Sequence, residues 1–246
     1  MKKAPLAEFR GVSKGFGKKL ALDNVTLTIG RGKVIGLLGP NGSGKTTMIK
    51  LMNGLIRPTK GELFIDGKTP GVYTKSIVSY LPDRTYFADW MNVKDILSMF
   101  DEFYEDFDRS KAEKMCAALN IDKEDRIKTM SKGTREKVQL ILVMSRNAQL
   151  YLLDEPIAGV DPAARDYILT TIINNYNEEG TVILSTHLIS DIERVLDEVV
   201  FIKEGKVVRH ETVDAIKEKE GKSIYDVFRD TFRMVPFARG VNGNDR

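Results

Sequence analysis

The stretch Gly39-Pro-Asn-Gly-Ser-Gly-Lys45-Thr46-Thr47 constrains this chain more than any other, because its G-x-x-x-x-G-K-[ST] spacing suits one task, wrapping a run of phosphates. Glycines leave room for backbone N–H groups to converge on phosphate oxygens. Lys45 adds a positive charge for the β and γ phosphates, and Thr46 a hydroxyl for the accompanying Mg²⁺. Gly39, Pro40, Asn41, Gly42, Ser43, Gly44, Lys45, Thr46 and Thr47 are therefore all candidate nucleotide contacts. The flanks agree with the loop. Val34-Ile-Gly-Leu-Leu38 is the short apolar run of a buried parallel strand, and Met48, Ile49, Leu51 and Met52 recur near helical period. Strand, glycine loop and helix in that order imply an α/β core with a helix N-terminus facing the phosphates.

The chain has 246 residues, 42 % of them apolar, which is enough to bury a sizeable core in one large domain or two small ones. A net charge of +3 with both signs interspersed argues against a dedicated nucleic-acid surface. It permits a slightly basic face toward phosphates or anionic lipid. No apolar run approaches the roughly 18 to 20 residues that span a bilayer, and Met1-Lys-Lys-Ala-Pro5 lacks the apolar stretch of a signal peptide, so a cytoplasmic location is expected. Cys116, the only cysteine, sits among Met115, Ala117 and Ala118 and is expected to be buried and inert. Two histidines and one cysteine leave no material for a structural zinc site of the usual kind.

Alternation in Phe9 to Val12 and Val25 to Ile29, and again in Glu62 to Asp66, predicts antiparallel strands beside the nucleotide; Ile77 to Leu81 predicts a further strand. From Asn92 the pattern turns helical. Asn92 with Asp95, and then Asp108, resemble helix starts ahead of Ile96, Leu97, Phe100 and Met115, Ala118, Leu119. Tyr151 to Leu153 and Thr181 to Thr186 return to short buried strands, and Asp161-Pro162 opens a helix as a cap followed by proline. The expected fold is thus an α/β core with a mainly parallel sheet, an antiparallel β-layer and an inserted helical section. A charged, helical tail begins at Asp214 with an apolar stripe at Ile224, Val227 and Phe228, and Gly240 to Arg246 reads as a loose end.

Leu150-Tyr-Leu-Leu-Asp154-Glu155 places two acids where a parallel sheet presents its ligand-binding edge. Beside a phosphate loop, the first holds Mg²⁺ through water and the second accepts a proton from the water that attacks the γ-phosphate. The order of motifs, over about residues 6 to 210, resembles the ATP-binding cassette family of P-loop NTPases. It runs from the phosphate loop through a helical insertion, a serine-glycine segment opening a helix and the strand with two acids. Gly-x-Asp-Pro and a strand ending near His complete it.

That resemblance implies one cassette domain over 1–246: an α/β core at 1–83 and 149–211, a helical subdomain at 84–148 and a helical tail at 212–246. It implies two cassettes closing head to tail, identical or not, on two ATP molecules. Each ATP then meets the phosphate loop of one subunit and the signature segment of the other. The signature here is Met130-Ser131-Lys132-Gly133-Thr134, matching the family's Leu-Ser-Gly-Gly-Gln at Ser131 and Gly133; Lys132 is expected to face solvent. Asp161 matches the aspartate that contacts the partner's phosphate loop, His187 the histidine that senses the γ-phosphate, and Phe16 the ring that stacks on adenine. Glu155, His187 and Lys45 form the implied catalytic set. The metal set is Thr46, Asp154 and Asp83, the last standing where the family usually has glutamine.

The function implied is an ATPase subunit, with ATP and Mg²⁺, that powers a separate membrane permease docked on the helical insertion. It would lie at the inner face of the membrane without spanning it. The Ser-Lys-Gly signature with Asp83 is similar to that of bacterial export-type subunits. Two other readings compete. A soluble cassette acting on ribosomes or DNA usually carries two cassettes or a coiled-coil insertion. A regulatory module that binds ATP without turnover would not need Lys45, Asp154, Glu155 and His187 together.

Overall fold

The computed structural model describes residues 4–232. In chain order β1 (Ala7–Phe16), β2 (Lys19–Ile29) and β3 (Val34–Leu38) lead through the glycine loop into α1 (Lys45–Met52). β4 (Lys60–Ile65), α2 (Val72–Ile77) and β5 (Val78–Leu81) follow, then α3 (Val93–Phe103), α4 (Arg109–Ala118) and α5 (Lys132–Met144). The chain returns through β6 (Leu150–Asp154), α6 (Pro162–Asn175), β7 (Thr181–Thr186), α7 (Ile189–Ile192), β8 (Glu198–Lys203) and β9 (Lys206–Thr212). It continues into α8 (Val213–Glu220) and α9 (Ile224–Phe232).

The strands form two sheets. An antiparallel three-stranded sheet has the order β2-β1-β4, and a six-stranded sheet has the order β5-β6-β7-β3-β8-β9, parallel except for β9. Every residue of β3, β6 and β7 is buried, as strands covered on both faces require. Their side chains alternate. Tyr151, Leu153, Val182 and Leu184 enter one apolar cluster with α5, α6 and α7. Leu150, Leu152 and Ile183 enter the other, with α1 and the antiparallel sheet. A third cluster, around Val93, Ile96, Phe100, Cys116 and Ile127, lies within the helical section. α5 serves two of them: Val138, Ile141 and Leu142 face the helical section, while Leu140, Val143 and Met144 face the sheet.

Local signals formed where the sequence placed them. Asn92 accepts from the Asp95 N–H while Asp95 accepts from the Asn92 N–H, a reciprocal cap on α3; Asp108 caps α4 and Asp161 caps α6. The Glu62 to Asp66 strand joins the antiparallel sheet and the Ile77 to Leu81 strand the six-stranded one. One detail differs from expectation: Ile77 ends α2 rather than starting β5, because the Thr74 hydroxyl ties back to both the N–H and the carbonyl of Gly71 and closes a short helix there. In the tail, Ile224 and Val227 are buried, and Phe228 meets Phe201 edge-on at 5.6 Å. The end expected to be loose, Gly240 to Arg246, lies outside the described residues.

Candidate functional site

The glycine loop runs from the C-terminal end of β3 to the N-terminus of α1, and two of its glycines are dictated by space. A Cβ on Gly39 would sit 2.4 Å from the Ile202 carbonyl oxygen. One on Gly44 would sit 2.7 Å from that of Ala21, at a φ of +118° that side chains rarely adopt. Lys45, only 6 % exposed, donates to the carbonyl oxygens of Gly39 at 2.8 Å and Pro40 at 3.3 Å, and its Nζ lies 3.5 Å from Glu155. Its charge is therefore held over the loop by weak acceptors that phosphate oxygens readily replace.

β6 and β7 meet the loop through their last residues. Asp154 Oδ1 accepts from the Ser185 hydroxyl at 2.6 Å and from Thr46 at 3.2 Å. Burial pushes the Asp154 carboxyl above the usual range; those two hydrogen bonds oppose it, and the charges of Asp83 and Glu155 add to it. Asp154 Oδ2 and Ser43 Oγ are both buried without a hydrogen-bond partner. A buried carboxylate oxygen with no donor, beside a threonine hydroxyl, fits a hard divalent cation. Among the described residues no three His, Cys, Asp or Glu side chains gather as a metal cage. This donor set suits Mg²⁺, which takes one or two protein oxygens and completes its shell with phosphates and water.

Glu155 follows with φ +51°, an unusual conformation for a residue with a side chain. Its N–H donates to both the carbonyl and the hydroxyl oxygen of Ser185, at 3.0 Å each. The carboxylate thus leaves the strand toward His187, whose Nδ1 lies 3.1 Å from Oε2, and toward Lys45. Ser185 is the residue that sequence reading passed over. Its register opposite Asp154 in the β6-β7 ladder lets one hydroxyl serve both acids.

Glu155, His187, Asn41 and Asp83 line a cavity of about 800 Å³ between the core and the helical section. Arg84, Arg135 and Gln139 line it too. Asp154, Glu155, His187, Lys45 and Thr46 are thus brought together, with Asp83 across the cavity. Ser131, Gly133 and Asp161 are exposed, and none of the three lines that cavity. Ser131 caps α5 through the Thr134 N–H at 3.1 Å, and space around Gly133 is open. Lys132 is exposed beside Glu136 at 3.7 Å, but rather than simply facing solvent it lines the same cavity as Glu155 and His187. Phe16, 52 % exposed, lies under the Lys14 ammonium at 5.1 Å.

A family model described as ABC transporter matches residues 22–158. The chain is similar to the ABC transporter ATP-binding protein YtrB of Bacillus subtilis (strain 168), with 32 % identity over 219 residues that cover 87 % of this chain and 74 % of that protein. It is 26 % identical over 220 residues to the SkfA peptide export ATP-binding protein SkfE of the same organism, covering 87 % and 92 %. A solved structure described as an ATP binding subunit of an ABC transporter superposes with a TM-score of 0.80 at 26 % identity, covering 92 % of this chain and 98 % of that one.

Proposed function

The chain belongs to the ABC transporter family of ATP-binding ATPases, and from that premise we propose how its own residues divide the work. Lys45 exchanges the Gly39 and Pro40 carbonyls for β and γ phosphate oxygens, and the N–H groups of 39–47 surround the rest. Glu155 acts as general base for the attacking water, and His187, hydrogen-bonded to it, reports whether the γ-phosphate is present. Thr46 and Asp154 would hold Mg²⁺, with Asp83 as a further oxygen donor toward it from the cavity lining. The ion, when bound, neutralises phosphate charge. The exposed ring of Phe16 receives adenine.

Ser131 and Gly133 stand at the exposed start of α5 and Asp161 at the exposed start of α6, so they serve the nucleotide of a second cassette, paired head to tail. The unit is one cassette domain over 1–246 with 84–148 as its helical subdomain. It powers a separate membrane permease at the inner face of the cell membrane. Export is the direction favoured, by the Ser-Lys-Gly signature and by the peptide-export relative. An apolar groove of about 490 Å³, lined by Leu55, Tyr86, Met99, Phe103 and Tyr104 at the helical section, offers the permease a seat.

The observation that carries the catalytic reading is Glu155, held at positive φ by Ser185 and within reach of both Lys45 and His187. Purified protein with Mg²⁺-ATP is expected to release phosphate. Glu155→Gln is expected to slow release by roughly 10²- to 10⁴-fold while ATP-bound dimers accumulate in size-exclusion chromatography. Undiminished release would remove Glu155 from its role, and a variant that stays monomeric with ATP would remove the head-to-tail pair.

A further inference from the structure

We propose that Gln139 is a positioning residue for Asp83; the inference rests on Asp83 serving hydrolysis from the cavity, as proposed above. Gln139 lies on α5, about two turns after the Ser131 cap, and is only 2 % exposed. A primary amide so deeply buried costs desolvation unless its polar atoms are used. Its Nε2 donates to the carbonyl oxygens of Pro82 at 3.4 Å and Arg84 at 3.5 Å. Those are the carbonyls on either side of Asp83. Each bond is long and therefore weak on its own, but together they make the amide a two-point contact to the backbone on either side of Asp83, whose carboxylate is left free for the cavity.

The tether is one of three along the same stripe of α5. One turn on, the Val143 carbonyl accepts from the Ser79 hydroxyl of β5 at 2.9 Å. Just past the helix, Arg146 donates to the carbonyls of Val78 and Ser76 at 2.6 Å each, and grips Asp106 with two further N–H bonds at 2.8 and 3.0 Å. Positions 139, 143 and 146 recur at helical spacing and meet 82–84, 79 and 76–78 in antiparallel order. β5 is the edge of the six-stranded sheet, with no strand on its outer side among the described residues, and its Val78 carbonyl takes a hydrogen bond from Arg146 instead. One turn before Gln139, Arg135 lines the same cavity as Asp83, and its Nε is buried without a hydrogen-bond partner.

The consequence is mechanical. The helix that displays Ser131 at its exposed end grips the backbone on both sides of Asp83, so a shift of the signature segment moves Asp83 relative to Asp154. A methionine at 139 would fill the same volume without donating. Gln139→Met is expected to lower kcat for Mg²⁺-ATP roughly tenfold and raise half-saturating Mg²⁺, with Mg²⁺-free ATP affinity and Tm unchanged. In an Asp83→Ala background the same substitution is expected to add no further loss, since nothing is left to position.

Hydrogen exchange of metal-free protein gives a reading that does not need turnover: the amides of Asp83 to Thr85 are expected to exchange faster in Gln139→Met than in the parent. Equal exchange in the two proteins would overturn the tether. Fully additive losses in the double variant, or an Asp83→Ala protein with the parent's kcat and Mg²⁺ dependence, would overturn its action through Asp83. A parent protein that releases no phosphate would instead overturn the catalytic reading and leave the exchange comparison to decide the tether.

Discussion

Two adjacent acids at the end of β6 have opposite environments, and that difference decides what each can do. Asp154 is buried and hydrogen-bonded, and it keeps one oxygen without a donor. Glu155 is swung out by its positive φ toward Lys45 and His187. The buried charge is a cost to the nucleotide-free protein, because its raised titration point means that the folded state holds a proton the unfolded chain has already lost. Stability from this group therefore falls as pH rises from its ordinary value of 3.8 through the raised folded one. Asp154→Asn is expected to raise Tm by about 2–4 °C at neutral pH while abolishing hydrolysis, read by calorimetry and phosphate release on one preparation. An unchanged or lower Tm would mean that the bonds from Ser185 and Thr46 outweigh desolvation. Sequence made both acids visible as Asp154-Glu155 on an apolar strand. Ser185, which holds both, was not visible, because its role arises from the register of a strand 31 residues away.

At the scale of elements, helix caps face outward while strand ends gather charge. Ser131 and Asp161 each satisfy an N–H at a helix start, and the same exposed positions are those proposed to meet a partner's nucleotide. On another side of the sheet, Glu198 at the start of β8 accepts from His210 of β9 at 2.9 Å and pairs with Lys33 just before β3. The hydrogen bond from His210, helped by Lys33 and opposed by burial, holds the Glu198 carboxyl down to about 2. In the unfolded chain it titrates near 4.5, so between the two values the unfolded state binds more protons and acid favours unfolding. This contribution is fully present above the unfolded value and lost as pH falls toward 2. Urea titrations of Glu198→Gln and parent protein are expected to differ most at pH 6 and to converge as pH falls toward 2. A difference that stays constant would show that the cluster's charge contributes nothing to folding.

The whole molecule joins a sheet-based core to a helical section with its own apolar cluster, and the seam between them carries both the cavity lined by Glu155 and His187 and the apolar groove. Phe103, 74 % exposed, and Leu55, 53 % exposed, both line that groove. Neither touches the catalytic groups. Replacing both with glutamate is expected to shift the protein from the membrane fraction to the soluble fraction of its cells, while purified protein hydrolyses ATP at the parent rate. Retention on membranes would place the permease contact elsewhere. Among the described residues no helix is long and apolar enough to cross a membrane.

The glycine loop, the paired acids and the caps are local: each needs only a short run of residues, and steric rules or backbone hydrogen bonding fix its form. The chain by itself therefore determined the strand, glycine loop and helix around residues 34–52, the two acids at the end of β6 and the helical stretch that follows Asn92. Pairings across the sheet, the grip of α5 on β5 and the sharing of Ser185 between two acids depend on groups far apart in sequence. Only the tertiary structure decided those, because strand register and packing are what bring these buried polar groups within hydrogen-bonding reach of one another. The loop from Gly39 to Thr47 announces a nucleotide. What faces it, and what moves with it, is set by packing.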